Sequence, residues 1–211
     1  MSAEEVLAQI AKEVSVCKKC ALYHSRNKAV PGEGPADAEI MFIGEGPGFN
    51  ENEQGRPFVG AAGNFLNELL AEAGLKRSDV WIGNVVKCRP PGNRDPLPEE
   101  LAACNEYQER QIAAINPKII ITLGRYSMGK FMPGVKISSV HGQMRRVGDR
   151  YVIAMFHPAA ALHQAALKPA ILKDFGQLPK LLEQARTALK RSSPPPVSEE
   201  PKETPKQLSL F

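Results

Sequence analysis

The sequence predicts an α/β fold: a three-layer α/β/α arrangement around a central, mainly parallel four-stranded sheet. Three observations lead there. Four short β-rich runs follow one another, Glu39 to Ile43, Val80 to Val86, Lys118 to Leu123 and Tyr151 to Phe156. Segments with apolar residues at helical spacing separate most of them. The runs themselves are mostly continuous in apolar residues, the pattern of strands covered by helices on both faces.

Taken in order, Val6, Ile10 and Val14 repeat at helical spacing and make an amphipathic helix leading into Cys17. The first strand runs into Gly44-Glu45-Gly46-Pro47-Gly48, and a helix is expected over Ala61 to Ala73. The second strand contains Gly83-Asn84 and precedes a helix over Pro98 to Ala114. The third ends at Gly124-Arg125, opening a helix to Phe131, and the fourth ends at His157-Pro158, before a helix over Ile171 to Leu189. In parallel sheets ligands sit beyond the carboxyl ends of the strands, and here the unusual residues gather at those ends. There is no internal repeat.

The 211 residues make about one domain. No stretch approaches the ~20 consecutive apolar residues of a membrane span. Met1 to Lys12 carries acids and no basic, apolar leader, so a soluble, unexported, cytoplasmic protein is expected. A net charge of +4 excludes a histone-like protein but permits a basic patch on one face. In a reducing compartment the four cysteines are not disulfides. They fall as Cys17-x2-Cys20 and as Cys88 and Cys104 with fifteen residues between. Four thiolates suit zinc or a 4Fe-4S cluster. The wide second spacing fits a zinc ribbon poorly and favours the cluster, with zinc and unligated core cysteines as the alternatives.

Each remaining candidate has a plainer reading beside the functional one. The glycine loop at Gly44 to Gly48 can bring backbone amides to a ligand or can be an ordinary strand-to-helix turn. It lacks the Lys-Ser/Thr ending of a phosphate loop. Phe58, in Gly55-Arg56-Pro57-Phe58-Val59-Gly60, is a core ring or a platform for a flipped base. Asn84 caps a turn or reads a base edge through its paired donor and acceptor. His157 is a core histidine or an electrophile, held out of helix by the proline after it.

From Ser192 to Gln207 the chain turns to Pro, Ser, Glu, Lys and Thr, a composition unable to bury enough surface to fold. Residues 191–211 are expected to be a disordered tail. It ends abruptly in the apolar cluster Gln207-Leu208-Ser209-Leu210-Phe211.

In this order the cysteines, Gly44 to Gly48, Gly55 to Gly63, Asn84 in Gly83-Asn84-Val85-Val86-Lys87-Cys88-Arg89-Pro90, and His157-Pro158-Ala159-Ala160 resemble the family 4, iron–sulfur uracil-DNA glycosylases. The resemblance spans roughly Cys17 to Leu182. It implies a catalytic domain over residues 1–190 that holds a 4Fe-4S cluster on Cys17, Cys20, Cys88 and Cys104. It also implies that Gly44 and Gly46 shape the uracil pocket, Phe58 stacks on uracil, Asn84 pairs with O4 and N3–H, and His157 contacts O2. Where the best-known branch of the superfamily has an Asp, this loop has Gly46, so Glu45 is the first candidate to assist water and Glu51 the second. Family members often carry an acid where this chain has Phe49. A covalent branch uses a histidine in an inserted loop, and Glu51 to Gly63 has neither, so turnover is expected. By analogy the wedge that enters DNA lies in Leu162, His163 and Gln164, with Lys168 and Lys173 on phosphates.

The tail's last residues resemble the bacterial sliding-clamp-binding pentapeptide, which implies the bacterial beta sliding clamp as a partner through Gln207, Leu208, Leu210 and Phe211. The expected protein is thus a monomeric, nucleoid-associated enzyme that removes uracil from DNA and initiates base excision repair. Two other readings stand beside it: a non-catalytic, cluster-containing nucleic-acid-binding or redox-sensing protein, and a same-fold glycosylase for another base. Intact Glu45, Asn84 and His157 favour catalysis.

Overall fold

A computed structural model describes residues 1–192; the clamp-like pentapeptide lies outside the described residues. The chain begins with α1 (Ala3–Val16). Its start is fixed by a capping box, in which the Glu5 N–H donates to Ser2 Oγ and the Ser2 N–H to Glu5 Oε2, a device worth about 1 kcal/mol. Then come β1 (Ile40–Gly44), α2 (Phe49–Gln54), α3 (Ala61–Glu72), β2 (Trp81–Asn84) and α4 (Pro98–Ile115). The second half supplies β3 (Ile119–Leu123), α5 (Arg125–Phe131), α6 (Ile137–Val140), β4 (Met144–Val147) and β5 (Arg150–Met155). It closes with α7 (Pro158–His163) and α8 (Lys168–Ser192).

The sheet order is β2-β1-β3-β5-β4, parallel throughout except for β4, which pairs antiparallel with β5. The three-layer α/β expectation holds, with five strands rather than four. The extra strand, Met-Arg-Arg-Val, carries two exposed arginines at its centre, so it lacks the apolar run that marks a buried strand. Its signal was Gly148-Asp149, the two-residue loop joining Val147 to Arg150. The second strand is shorter than expected because Val85 and Val86 leave the ladder. Their N–H groups donate instead to the carbonyls of Gly44 and Glu45, both at 3.1 Å, so the chain follows the glycine loop beyond the sheet.

Side chains alternate across the parallel strands and build a core on each face. Phe42, Ile82, Ile121, Ile153 and Met155 pack with Leu66, Leu69 and Leu70 of α3 and with Ile171, Phe175 and Leu178 of α8. Met41, Ile43, Ile120, Val152 and Ala154 face Ile112 and Ile115 of α4 and Met128 of α5. Beyond β2, Glu33 forms an isolated bridge with Ile82, exchanging N–H···O bonds of 2.9 and 2.8 Å. Both cores are made of buried, mutually packed apolar side chains, so the loops at the strand ends stand on a close-packed base. No helix among the described residues is long and apolar enough to cross a membrane.

Candidate active site and thiol cavity

Beyond the carboxyl ends of β1, β2 and β5 lies a cavity of about 330 Å³, of a size for one base. Glu45, Gly46, Gly48, Glu51, Phe58, Asn84, His157 and His163 all line it. Gly44 does not line it but lies against two side chains that do, since a Cβ there would meet Asn84 Oδ1 at 2.5 Å and Phe58 Cζ at 2.7 Å. Only a residue without a side chain lets those two groups converge. A Cβ at Gly46 would lie 2.8 Å from a Val86 methyl, so an acid at this position would have to displace Val86.

Asn84 is buried at the end of β2, and its Oδ1 has no hydrogen-bond partner. A buried acceptor left unpaired costs about 1–3 kcal/mol, which a ligand's N–H would recover. The backbone carbonyl of Asn84 is pinned by Lys87 Nζ at 2.8 Å, and Lys87 also donates to Gln111 Oε1 at 2.8 Å. Burial lowers the Lys87 pKa to about 8.

Phe58 holds its ring 5.5 Å from that of His157, at 26°. Its backbone is left-handed (φ 51), unusual for an aromatic residue. Glu51 Oε1 accepts the N–H groups of Val59 and Gly60 at 2.8 and 2.9 Å, and Oε2 accepts that of Gly48 at 3.1 Å. The Glu51 carboxylate therefore clamps the loops on either side of α2. Glu45 stands differently. Burial pushes its carboxyl above the ordinary value, the Asp95 carboxylate adds to this, and Arg125 opposes it.

His157 caps α7, its Nδ1 accepting the Ala159 N–H at 3.1 Å. Burial lowers its pKa to about 4, with Glu51 opposing, so the ring is neutral near pH 7. A backbone amide can only donate, so Nδ1 is the acceptor and Nε2 carries the proton.

The four cysteines gather at a second cavity, between α1, α4 and the loop after β2. Arg26 organises this corner. It donates to the Ser15 and Cys17 carbonyls at 2.8 Å each, satisfying the end of α1, and to Cys88 Sγ at 3.5 Å. Burial pushes the thiols of Cys20 and Cys88 up, and that of Cys104 to about 11. Among the described residues no three or more His, Cys, Asp or Glu groups sit close enough to hold a single metal ion.

Residues 31–177 match the uracil DNA glycosylase superfamily. The chain belongs to that superfamily. Within it, the chain is similar to curated type-4 uracil-DNA glycosylases. That of Sulfurisphaera tokodaii is 46% identical, over 83% of this chain and 84% of the relative. That of Archaeoglobus fulgidus is 44% identical over 84% and 94%, and that of Thermotoga maritima 42% over 89% and 97%. These likenesses put the chain in the type-4 branch.

In this superfamily member Leu162 is 52% exposed and adjoins His163, which lines the pocket. Gln164 ends α7 and is exposed, as is Lys168, whose Nζ lies 5.5 Å from the Phe65 ring centroid. Phe49, adjoining Gly48, is 58% exposed with the Arg89 guanidinium 5.4 Å from its ring centre. Sequence reasoning missed Arg94, which lines the pocket and is held bidentately by the buried carboxylate of Glu100 at 2.7 and 2.9 Å. It also missed Arg77 and Glu33, whose bonds lie behind Phe58. Arg94, Arg77 and Glu33 all lie outside the α-helices and strands, so no local period marks any of the three.

Proposed function

We propose that this protein is a monofunctional uracil-DNA glycosylase, which receives a uracil flipped out of DNA and hydrolyses its N-glycosidic bond to leave an abasic site, initiating base excision repair. The observation that carries the reading is Asn84, which lines a base-sized cavity beside Phe58 and His157 and whose buried Oδ1 has no partner. Uracil offers N3–H to that oxygen and O4 to the Asn84 amide N–H. Cytosine offers the opposite pattern and would leave both Asn84 groups unpaired. Phe58 supplies the stacking surface.

As the bond from C1′ to N1 lengthens, the sugar gains oxocarbenium character and the base becomes an anion. His157 Nε2–H donates to O2 where that charge collects, a bond that strengthens only in the transition state. A neutral donor suits the task, since it need not surrender its proton. The Glu45 carboxylate orients a water, takes its proton as the oxygen joins C1′, and opposes the positive sugar. Glu51, with three backbone amides on its carboxylate, serves as the clamp of the pocket wall rather than as a base. No lysine lines the described pocket, which agrees with hydrolysis without a lyase step.

For the thiol cavity we read a 4Fe-4S cluster on Cys17, Cys20, Cys88 and Cys104. The donor set fits it: four thiols around one cavity, with Lys18 and Arg89 beside ligands and Arg26 on Cys88 Sγ to offset charge. When bound, the cluster would tie α1 to α4 and to the loop after Asn84. Leu162, His163, Gln164 and Lys168 are the DNA-facing group, and Gln207, Leu208, Leu210 and Phe211 the clamp-binding one. A monomer in the cytoplasm, at the nucleoid, completes the reading.

The test is incubation with oligonucleotides bearing one uracil, hypoxanthine or 5-hydroxymethyluracil, followed by alkali. Cleavage confined to the uracil strand is expected. Cleavage of another strand alone would favour the same-fold alternative, and no cleavage the non-catalytic one.

A further inference from the structure

We propose that Arg77 is a positioning residue for uracil excision, holding the Phe58 ring at the height at which the base stacks. This rests on the reading of the cavity as a uracil site. Arg77 and Glu33 do not line the cavity, so whatever Arg77 does for the reaction it does through the loop.

The left-handed backbone of Phe58 persists only if its surroundings over-determine it. Glu51 takes the amides that follow it, as described. From the opposite side Arg77 takes the carbonyls: Nη1 donates to Phe58 O at 3.2 Å and Nη2 to Pro57 O at 2.5 Å. The guanidinium is itself aimed by Glu33 Oε1, which accepts from Nε at 3.2 Å and Nη2 at 2.8 Å, and by Asn67 Oδ1 at 3.1 Å. Glu33 is anchored in turn by its bridge to Ile82, two residues before Asn84. One rigid fork thus relates the platform to the strand that carries the base-reading amide. Gly63 completes the seat, because a Cβ there would lie 2.0 Å from Phe58 O. Phe58 has little room to be wrong: its ring and Asn84 Oδ1 both lie within van der Waals reach of where a Cβ on Gly44 would sit. A lysine could reach one carbonyl but cannot span both while pairing with Glu33.

The experiment is a double-mutant cycle on the full-length, cluster-loaded protein with a uracil-bearing oligonucleotide under single turnover, varying enzyme concentration to separate the maximal rate from half-saturation. Free uracil as a competitive inhibitor is the second readout. Arg77→Gln and Arg77→Lys are expected to lower the maximal rate about tenfold or more and to weaken inhibition by uracil in proportion, with half-saturation by DNA within about twofold. In a Phe58→Leu background the same changes should add less than about twofold, because the group they position is gone. Equal losses in both backgrounds, or a lowered melting temperature with uracil inhibition unchanged, would overturn the proposal. Should Arg77→Gln not fold, Arg77→Lys and Glu33→Gln carry the cycle. Failure of the unsubstituted protein to release uracil would instead refute the parent reading.

Discussion

The Ala159 N–H donates to His157 Nδ1 at 3.1 Å, so the bond that starts α7 also decides which nitrogen of His157 holds the proton. One contact closes a helix end and leaves Nε2–H as the ring's only donor. With the pKa lowered to about 4 by burial, that donor is present throughout the neutral range.

His157→Ala and Asn84→Ala should each lower single-turnover excision by roughly 10²-fold, as expected for the loss of one transition-state donor. Asn84→Asp should gain measurable action on cytosine, whose N4 amino group donates where uracil's O4 accepts. Rapid-quench assays on matched uracil and cytosine strands check both. Near-normal rates for the two alanine variants would move the site elsewhere.

Glu45 must be ionised to receive a proton from water, and burial raises its pKa. The excision rate should therefore rise with pH through a midpoint above the ordinary carboxylate range and then level off. Glu45→Gln should remove that acid limb and lower the plateau by about 10²-fold or more. A pH–rate profile of the two proteins decides it, and a limb that survives in Glu45→Gln belongs to another group.

Gly44→Ala should cost at least about tenfold in rate with little loss of fold, because its methyl group would enter the space shared by Asn84 Oδ1 and the Phe58 ring. Circular dichroism should stay native while inhibition by free uracil weakens.

Anaerobically purified protein should show visible thiolate-to-iron charge transfer and about four irons per chain. Cys88→Ala should lose the colour and lower the melting temperature, since metal binding and folding are coupled. Stoichiometric zinc in colourless protein would exclude the cluster.

Ending the chain at Lys206 should abolish binding to the sliding clamp while leaving excision on naked oligonucleotide unchanged. Titration of the same organism's clamp, at up to tens of micromolar, compares the two proteins.

Much of the fold was legible because buried parallel strands and amphipathic helices write strong periods into the chain. The helix Arg125–Phe131 falls where the sequence put it, and α4 runs one residue further than expected. β4 escaped because a strand at the sheet's border keeps one side in water and reads as Arg-Arg. Of the pocket, residues adjoining glycines and strand ends were legible, since Gly44, Asn84 and His157 sit where the topology directs a ligand. The residues that aim them were not. Arg77 reaches Phe58 across nineteen positions and Glu33 across forty-four, pairings only the folded chain creates.

An open sheet has two borders, and each is a template on which another chain could add a strand. Here the β2 border is already occupied by the Glu33 bridge, and the β4 border presents Arg145 and Arg146 to water. Charged and pre-paired borders resist edge-to-edge association. Many copies could therefore crowd along one length of DNA without knitting into aggregates through their sheets.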